Sequence, residues 1–403
     1  MKCKVCKNQI HQIIDFGPMP IANGFVANIS KDKYRFDLSL NFCPKCYMVQ
    51  IGEVVKPTLM FNDQYHFLSS TSQSMEKHFK DVAGEIIKRI KGKNDPLVVE
   101  IGSNDGIMLK HIAAKRIRQL GIEPSGNVAA MSRKYGVVAI EKFFNQETAR
   151  EIVKKYGKAN VVFGANVICH IENINAVFEG ISIVLKEDGV FFFEEPYIYN
   201  IVKKASFDQI YDEHIYFYSG LSVRELAKRH NLQLVDMKHQ SVHGGSMRYY
   251  IVKGKTNKET KKMKEYIVKE KALGLHALKG YIAFKKRVDK ICENLRNLLL
   301  KLSKQGSIAA YGATSKSTTL LNYARIGASI INYISDTTPT KINKFTPGTH
   351  IPVKPYNYFK IHKPKYTVLL AWNHKKEIFE KEKDYRKKGG KFITFFPRVK
   401  IEQ

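Results

Sequence analysis

The sequence predicts an α/β protein of three parts: a metal-binding module at the N-terminus, a doubly wound domain on a parallel sheet, and a second Rossmann-like domain at the C-terminus. Three observations predict it. Cys3-x-x-Cys6 and Cys43-x-x-Cys46 make two paired knuckles near the start. From Leu97, strand-length apolar runs alternate with helical stretches, which specifies parallel strands covered by helices. From Ser307, beyond a lysine-rich helical run, that rhythm restarts. The expected boundaries are 1–70 for the metal module, 71–254 for the central domain, 255–304 for a helical linker and 305–403 for the C-terminal domain.

Composition narrows the class. With 403 residues, 44% hydrophobic and 11% aromatic, the chain has material for buried cores and is not of disordered composition. No run approaches the roughly 20 apolar residues of a membrane span, and MKCKVCKNQI has no apolar leader, so a cytoplasmic protein with no membrane partner is expected. The 67 Lys+Arg against 37 Asp+Glu give +30, a balance that attracts polyanions. The lysines are spread, densest in Lys255–Lys304 and Lys375–Lys391, without an arginine-rich arm interleaved with aromatics. A solvated basic surface is therefore expected rather than a nucleic-acid site. A monomer is the default expectation.

The two cysteine pairs suit metal. Each pair chelates from one tight turn, and two turns make a closed tetrahedral zinc site from Cys3, Cys6, Cys43 and Cys46. Four thiolates leave no open coordination position, so the zinc is expected to be structural; a disulfide pair is the alternative, disfavoured in a cytosolic chain. The 36 residues between the pairs must house their own hairpin or loop, through Asp15–Pro20. Cys169 and Cys292 stand alone and read as buried small apolar residues. In YHFLSSTSQS, which precedes a helix from about Met75 to Ile90, Tyr65 is either an active-site hydroxyl or a packing aromatic.

The centre of the chain is LVVEIGSNDG, Leu97 to Gly106, a buried strand, a tight turn and a helix start. Gly102 and Gly106 let backbone approach a ligand, and Glu100 and Asp105 put acids where a pyrophosphate would be repelled. The turn thus fits S-adenosylmethionine better than NAD. Glu123, 23 residues after Glu100, falls where nucleotide-binding folds place the acid for the ribose hydroxyls. Asn104 and Asn166 join them at the strand C-termini, where ligand crevices form. His170, four residues on, is either catalytic or a capping or supporting histidine.

FDQIYDEHIYFYS is the most chemically loaded stretch. Histidine moves protons near neutral pH, a neighbouring acid biases it, and a phenol bonds a developing oxyanion, so Tyr211, Glu213 and His214 suit proton abstraction next to a carbonyl. A carbon nucleophile needs that step, because carbon lacks the lone pair of oxygen or nitrogen. VHGGSMRYY places His243, Gly244 and Ser246 in a close-approach turn and Arg248 on the strand leaving it; these are candidate substrate contacts. In YGATSKSTTLLNY, Ser315 and Lys316 at a helix N-terminus suit an anion, although the Walker spacing is missing.

Taken together, the Cys-x-x-Cys pairs, EIGSNDG, YDEH, HGGSMR, YGATSKSTTLLNY, SDTTPTK with PGTHIPV, and LLAWNH resemble the S-adenosylmethionine-dependent sugar C-methyltransferases over nearly the whole chain. The resemblance implies a class I (Rossmann-like) methyltransferase domain with an N-terminal zinc-binding module and a C-terminal Rossmann-like domain that helps hold a nucleotide-linked keto sugar, dTDP- or GDP-linked. It implies methylation at C3 of a 4-keto-deoxysugar, with inversion. His214 would be the base, Tyr211 and Glu213 would position it or polarise the ketone and enolate, and Tyr65 would match the other active-site tyrosine. Glu100, Gly102, Asn104, Gly106 and Glu123 would meet the cofactor, and Ser315 and Lys316 the diphosphate. Met247 stands where the family often has leucine. Two other readings compete: an RNA-modifying methyltransferase with a zinc module, which would not need the Tyr211, Glu213, His214 cluster, and a non-catalytic nucleotide-sugar-binding protein.

Overall fold

Strand β8, Leu185–Pro196, shows how the sequence builds the central domain. Its FFF run is buried on both faces: Phe191 and Phe193 pack on Phe178, while Phe192 packs on Phe163 and Tyr250. A strand covered on both faces carries a continuous apolar run, and each buried ring contributes about 1.5–3 kcal/mol. In the computed structural model, which describes residues 1–56, 73–254 and 259–402, this strand lies inside a seven-stranded sheet. The others are β4 (Leu97–Ile101), β5 (Arg118–Ile122), β6 (Ala139–Ile140), β7 (Ala159–Ala165), β10 (Leu232–Gln240) and β11 (Ser246–Lys253).

The sheet order is β10-β11-β8-β7-β4-β5-β6. Strands β4 to β8 are parallel, and only β11 and its hairpin partner β10 break the pattern, with β11 antiparallel to β8. The order reverses at β4, so the crevice outside the strand C-termini opens beside β4. Helix Gln73–Ile90 packs its Phe79, Val82 and Ile86 on one face of this sheet.

The N-terminal module is an antiparallel sheet of β1 (His11–Met19), β2 (Phe36–Phe42) and β3 (Val49–Ile51). A fourth strand, β9 (Tyr216–Phe217), comes from the stretch after His214 and pairs with β3, Val49 opposite Phe217. The module is thus completed by the central domain's own chain. Beyond residue 254, the expected single helical run is two helices, Lys261–Ala272 and Leu278–Ser303, broken at Gly274, whose φ of 83° no helix accepts. The C-terminal sheet has the order β14-β13-β12-β15-β16-β17, formed by β12 (Ile308–Tyr311), β13 (Tyr333–Asp336), β14 (Val353–Pro355), β15 (Tyr366–Leu369), β16 (Lys391–Thr394) and the antiparallel β17 (Lys400–Glu402). Among the described residues no helix is long and apolar enough to cross a membrane.

Candidate active site

The two knuckles close alike. The Lys7 N–H bonds to the Cys3 carbonyl at 2.9 Å and the Tyr47 N–H to the Cys43 carbonyl at 2.9 Å, with φ of 60° and 59° at Lys7 and Tyr47. These turns bring Cys3 Sγ within 3.6 Å of Cys46 Sγ and Cys6 Sγ within 3.4 Å of Cys43 Sγ, all four inside 4.8 Å of one another. Zn–S bonds of about 2.3 Å give tetrahedral S···S edges of about 3.8 Å, so the donor set fits one closed zinc ion.

The cofactor turn gathers acids. Asn104 adopts a φ of 48°, between Gly102 at 66° and Gly106 at 80°; a Cβ on Gly102 would meet Val167 at 2.6 Å. Glu123 holds the turn from the next strand, its carboxylate accepting the Asn104 N–H at 3.1 Å and the Ser125 N–H at 2.9 Å. Glu100, Asp105 and Glu123 are all buried together. Burial, then the charges of Asp105 and Glu123, push the Glu100 carboxyl well above its usual range. Its Oε2 has no hydrogen-bond partner among the described residues. An acid cluster this crowded favours a cation and hydroxyl donors, which a sulfonium nucleoside supplies. Asn166, with a φ of 52°, donates its N–H to the Glu194 carbonyl at 2.9 Å and ends β7 beside this crevice.

The YDEH stretch folds His214 and Tyr211 into one buried cluster. His214 Nδ1 lies 2.9 Å from the Gln209 carbonyl, which only accepts, so Nδ1 carries the proton. Nε2 is then the lone-pair atom, 3.1 Å from the Tyr211 hydroxyl. Both residues are buried. The His170 ring stacks on that of His214, centroids 5.4 Å apart and 16° from parallel, and burial pulls its pKa down to about 4, which keeps it neutral. Burial, helped by the Asp212 charge, pushes Glu213 up to about 8, so at neutral pH it is an acid with a proton to donate. Tyr65 lies outside the described residues.

Several supporting residues escaped the sequence reading. Asp212, between two named candidates, accepts the Ala22 N–H at 2.9 Å and so ties the zinc module to the loop that carries His214. Glu195 on β8 accepts the Val167 and Cys169 N–H groups, each at 3.1 Å, and sets the loop that carries His170. The only signal was FFFEEP, acids closing an apolar strand. Asp208 accepts the Trp372 indole N–H at 2.5 Å, and the Trp372 ring fills the space that a Cβ on Gly244 would enter at 2.6 Å.

The proposed substrate contacts are divided. Gly244 has a φ of 84° and lies against the C-terminal domain through Trp372. His243 shares that turn, its side chain outside the described part of the structure. Ser246 is fully buried, its hydroxyl 3.4 Å from the Val242 carbonyl. Arg248 is buried in an ionic network with Glu194 and with Glu85, Nη1 to Oε2 at 2.6 Å, and His78 completes the set at 2.6 Å from Glu194. Strand register is the reason, since Arg248 stands opposite Glu194 on the face covered by helix Gln73–Ile90. Ser315 donates to the Asn23 side chain of the zinc module at 3.2 Å, and Lys316 is half-buried and feels the charge of Asp208.

The chain is 30% identical over 405 residues to the C-methyltransferase NovU of Streptomyces niveus, covering 99% of this chain and 96% of that protein. It belongs to the C-methyltransferase family. Residues 3–61 match that family's zinc binding domain, 75–237 its methyltransferase domain and 241–397 the C-methyltransferase C-terminal domain. This C-methyltransferase is S-adenosylmethionine-dependent, with a class I Rossmann-like methyltransferase domain and a four-cysteine zinc site. Solved structures match more distantly. The magnesium protoporphyrin IX methyltransferase of Synechocystis PCC 6803 is 11% identical, covers 44% of this chain and 79% of its own, and has a TM-score of 0.33. An S-adenosylmethionine-dependent methyltransferase from Clostridium acetobutylicum is 13% identical, with 45% and 92% covered and a TM-score of 0.36.

Proposed function

We propose that this C-methyltransferase acts on a nucleotide-linked 4-keto-deoxysugar, dTDP- or GDP-linked, and methylates C3 by way of an enolate. The observation that supports this most is the fixed tautomer of His214, Nδ1 donating to Gln209 and Nε2 presenting its lone pair beside the Tyr211 hydroxyl. S-adenosylmethionine, held by Glu100, Glu123 and the Gly102–Gly106 turn, supplies an already activated methyl group.

The chain's own work is therefore to make carbon nucleophilic and to align it. His214 Nε2 accepts the C3 proton, while Tyr211 and the protonated Glu213 donate hydrogen bonds toward the oxygen on which charge develops. Ser315 and Lys316 lie at the start of a C-terminal helix and suit the diphosphate. The zinc module acts as scaffold, since it completes its sheet with residues that immediately follow His214.

The test is a mass-spectrometric assay of dTDP- and GDP-linked 4-keto-6-deoxysugars in deuterated water, with native protein and His214→Asn. One added methyl with the native enzyme, and strongly reduced product with the variant, supports the reading. Deuterium exchange without methyl transfer retains the base and rejects the sugar; neither exchange nor product across the panel rejects the proposal.

A further inference from the structure

Loop 166–170, which follows β7, lies between the cofactor turn and His214 and is tied to both. On the cofactor side, Val167 packs so closely on Gly102 that a Cβ there would meet its Cγ2 at 2.6 Å. On the other side, the Ile215 N–H bonds to the Cys169 carbonyl at 2.9 Å and the Tyr218 hydroxyl to the Ile168 carbonyl at 3.2 Å, while the His170 ring stacks on that of His214. Ile215 follows His214 directly.

One side chain closes this loop from behind. Glu195 is fully buried at the end of β8, and its Oε1 accepts the Val167 N–H and the Cys169 N–H, each at 3.1 Å. The first donor belongs to the residue seated on the cofactor turn, the second to the residue whose carbonyl holds Ile215. A single oxygen thus sets the spacing between the two ends of the loop. Removing it strands both N–H groups and frees Val167 to shift relative to Cys169.

Proton abstraction and methyl transfer differ in what they require. Removing the C3 proton needs His214 and the ketone; forming the C3–CH3 bond also needs the methyl carbon in line with C3, where a displacement of about 1 Å can cost about 100-fold in rate. We infer that Glu195 is a positioning residue for the second step: through loop 166–170 it holds the cofactor turn and the His214 segment at the spacing that aligns the methyl donor with C3. This rests on the keto-sugar reading. In the first step the C3–H bond breaks, the proton goes to His214 Nε2, its electron pair forms the C3=C4 bond and the carbonyl π pair moves onto the C4 oxygen. In the second, the oxygen pair re-forms the C4 carbonyl as the C3=C4 pair bonds to the methyl carbon, whose bond to sulfur breaks with its electrons left on sulfur.

The experiment compares two rates at saturating dTDP- and GDP-linked 4-keto-6-deoxysugars, for native protein, Glu195→Ala, Glu195→Gln and Val167→Ala. One is methyl transfer with S-adenosylmethionine; the other is C3 deuterium exchange in deuterated water with S-adenosylhomocysteine in its place. Zinc content and thermal melting confirm folding. Expected for Glu195→Ala is methyl transfer about 100-fold lower with exchange within about threefold of native, and for Glu195→Gln, which keeps an acceptor oxygen, both rates within about threefold. Val167→Ala leaves the Glu195 hydrogen bonds in place and loosens the contact with Gly102; it should lower methyl transfer about 10-fold with exchange unchanged, and it decides the matter where Glu195→Ala does not fold. Equal falls in both rates, or methyl transfer retained in Glu195→Ala, overturn the inference and leave the keto-sugar reading standing. Neither exchange nor methyl transfer by the native protein overturns both.

Discussion

Asp212 Oδ1 and the Ala22 N–H, 190 residues apart in sequence, are joined by a buried 2.9 Å hydrogen bond. The zinc-module loop is thereby fixed to the residue two before His214. Asp212→Ala leaves a buried N–H unsatisfied and loosens the base loop, whereas Asp212→Asn keeps an acceptor oxygen. Expected is about a 10-fold or greater fall in kcat for the alanine variant, near-native kcat for asparagine, and unchanged S-adenosylmethionine affinity in both, read by steady-state kinetics and calorimetry.

The Tyr211 hydroxyl lies 3.1 Å from His214 Nε2, so its loss weakens the proton-transfer geometry without removing the base. For Tyr211→Phe, kcat should fall about 10–100-fold while cofactor affinity holds. A variant with native kcat shows that the phenol only packs.

Arg248 is expected to matter for folding rather than substrate. Its removal leaves Glu194 and Glu85 charged in a buried setting, and breaking such a pair costs about 3–5 kcal/mol. Burial works against the Glu194 carboxylate, but His78 and Arg248 outweigh it and hold its pKa below the ordinary value. Chemical denaturation of Arg248→Met should show this loss, with KM for the sugar within about twofold in the folded fraction. A large KM rise with unchanged stability restores the substrate role.

Glu213 sets an upper pH limit. Its folded pKa of about 8 exceeds the ordinary 4.5, so the native state holds a proton that the unfolded state has lost between those values. Its favourable contribution is therefore complete below about pH 4.5 and lost as pH rises through about 8. Methyl transfer should decline above about pH 8 with the loss of the donated proton. In Glu213→Gln that alkaline limb should be absent from the pH–kcat profile; a limb that persists assigns it to another group.

Zinc removal should reach the base. Strand β3 carries Gln50 opposite Tyr216, two residues after His214, and lies just after Cys46. Cys43→Ser should lose bound zinc, measured by elemental analysis, together with nearly all methyl transfer, while the isolated Glu100–Gly106 turn remains built from the central sheet. Full activity in a zinc-free protein shows that the module does not support the loop.

The residues themselves specified much of this. Paired cysteines at x-x spacing favoured turn-borne ligands over a disulfide pair, because backbone geometry puts both thiols on one side of a short turn. LVVEIGSNDG had to be strand, turn and helix start, since its glycines and Asn104 take positive φ that β-branched neighbours refuse. Tyr211 and His214 are close because they stand only three positions apart, a local fact. The partners of Arg248 have a non-local origin: alternation on a strand predicts two faces, but which face meets Glu194 depends on β11 pairing with β8.

By itself, then, the sequence determined the local chemistry: four thiolates for zinc, an acid-lined glycine turn for a sulfonium cofactor, and a histidine beside a phenol. Tertiary structure alone decided the long-range partners. Ala22 under Asp212, Trp372 over Gly244 and Glu195 behind His170 are brought together by strand register and by the packing of separate sheets. Periodicity records which side of an element is buried, not which distant residue buries it, because burial is nondirectional while hydrogen bonds and ion pairs need a specific partner at a specific distance.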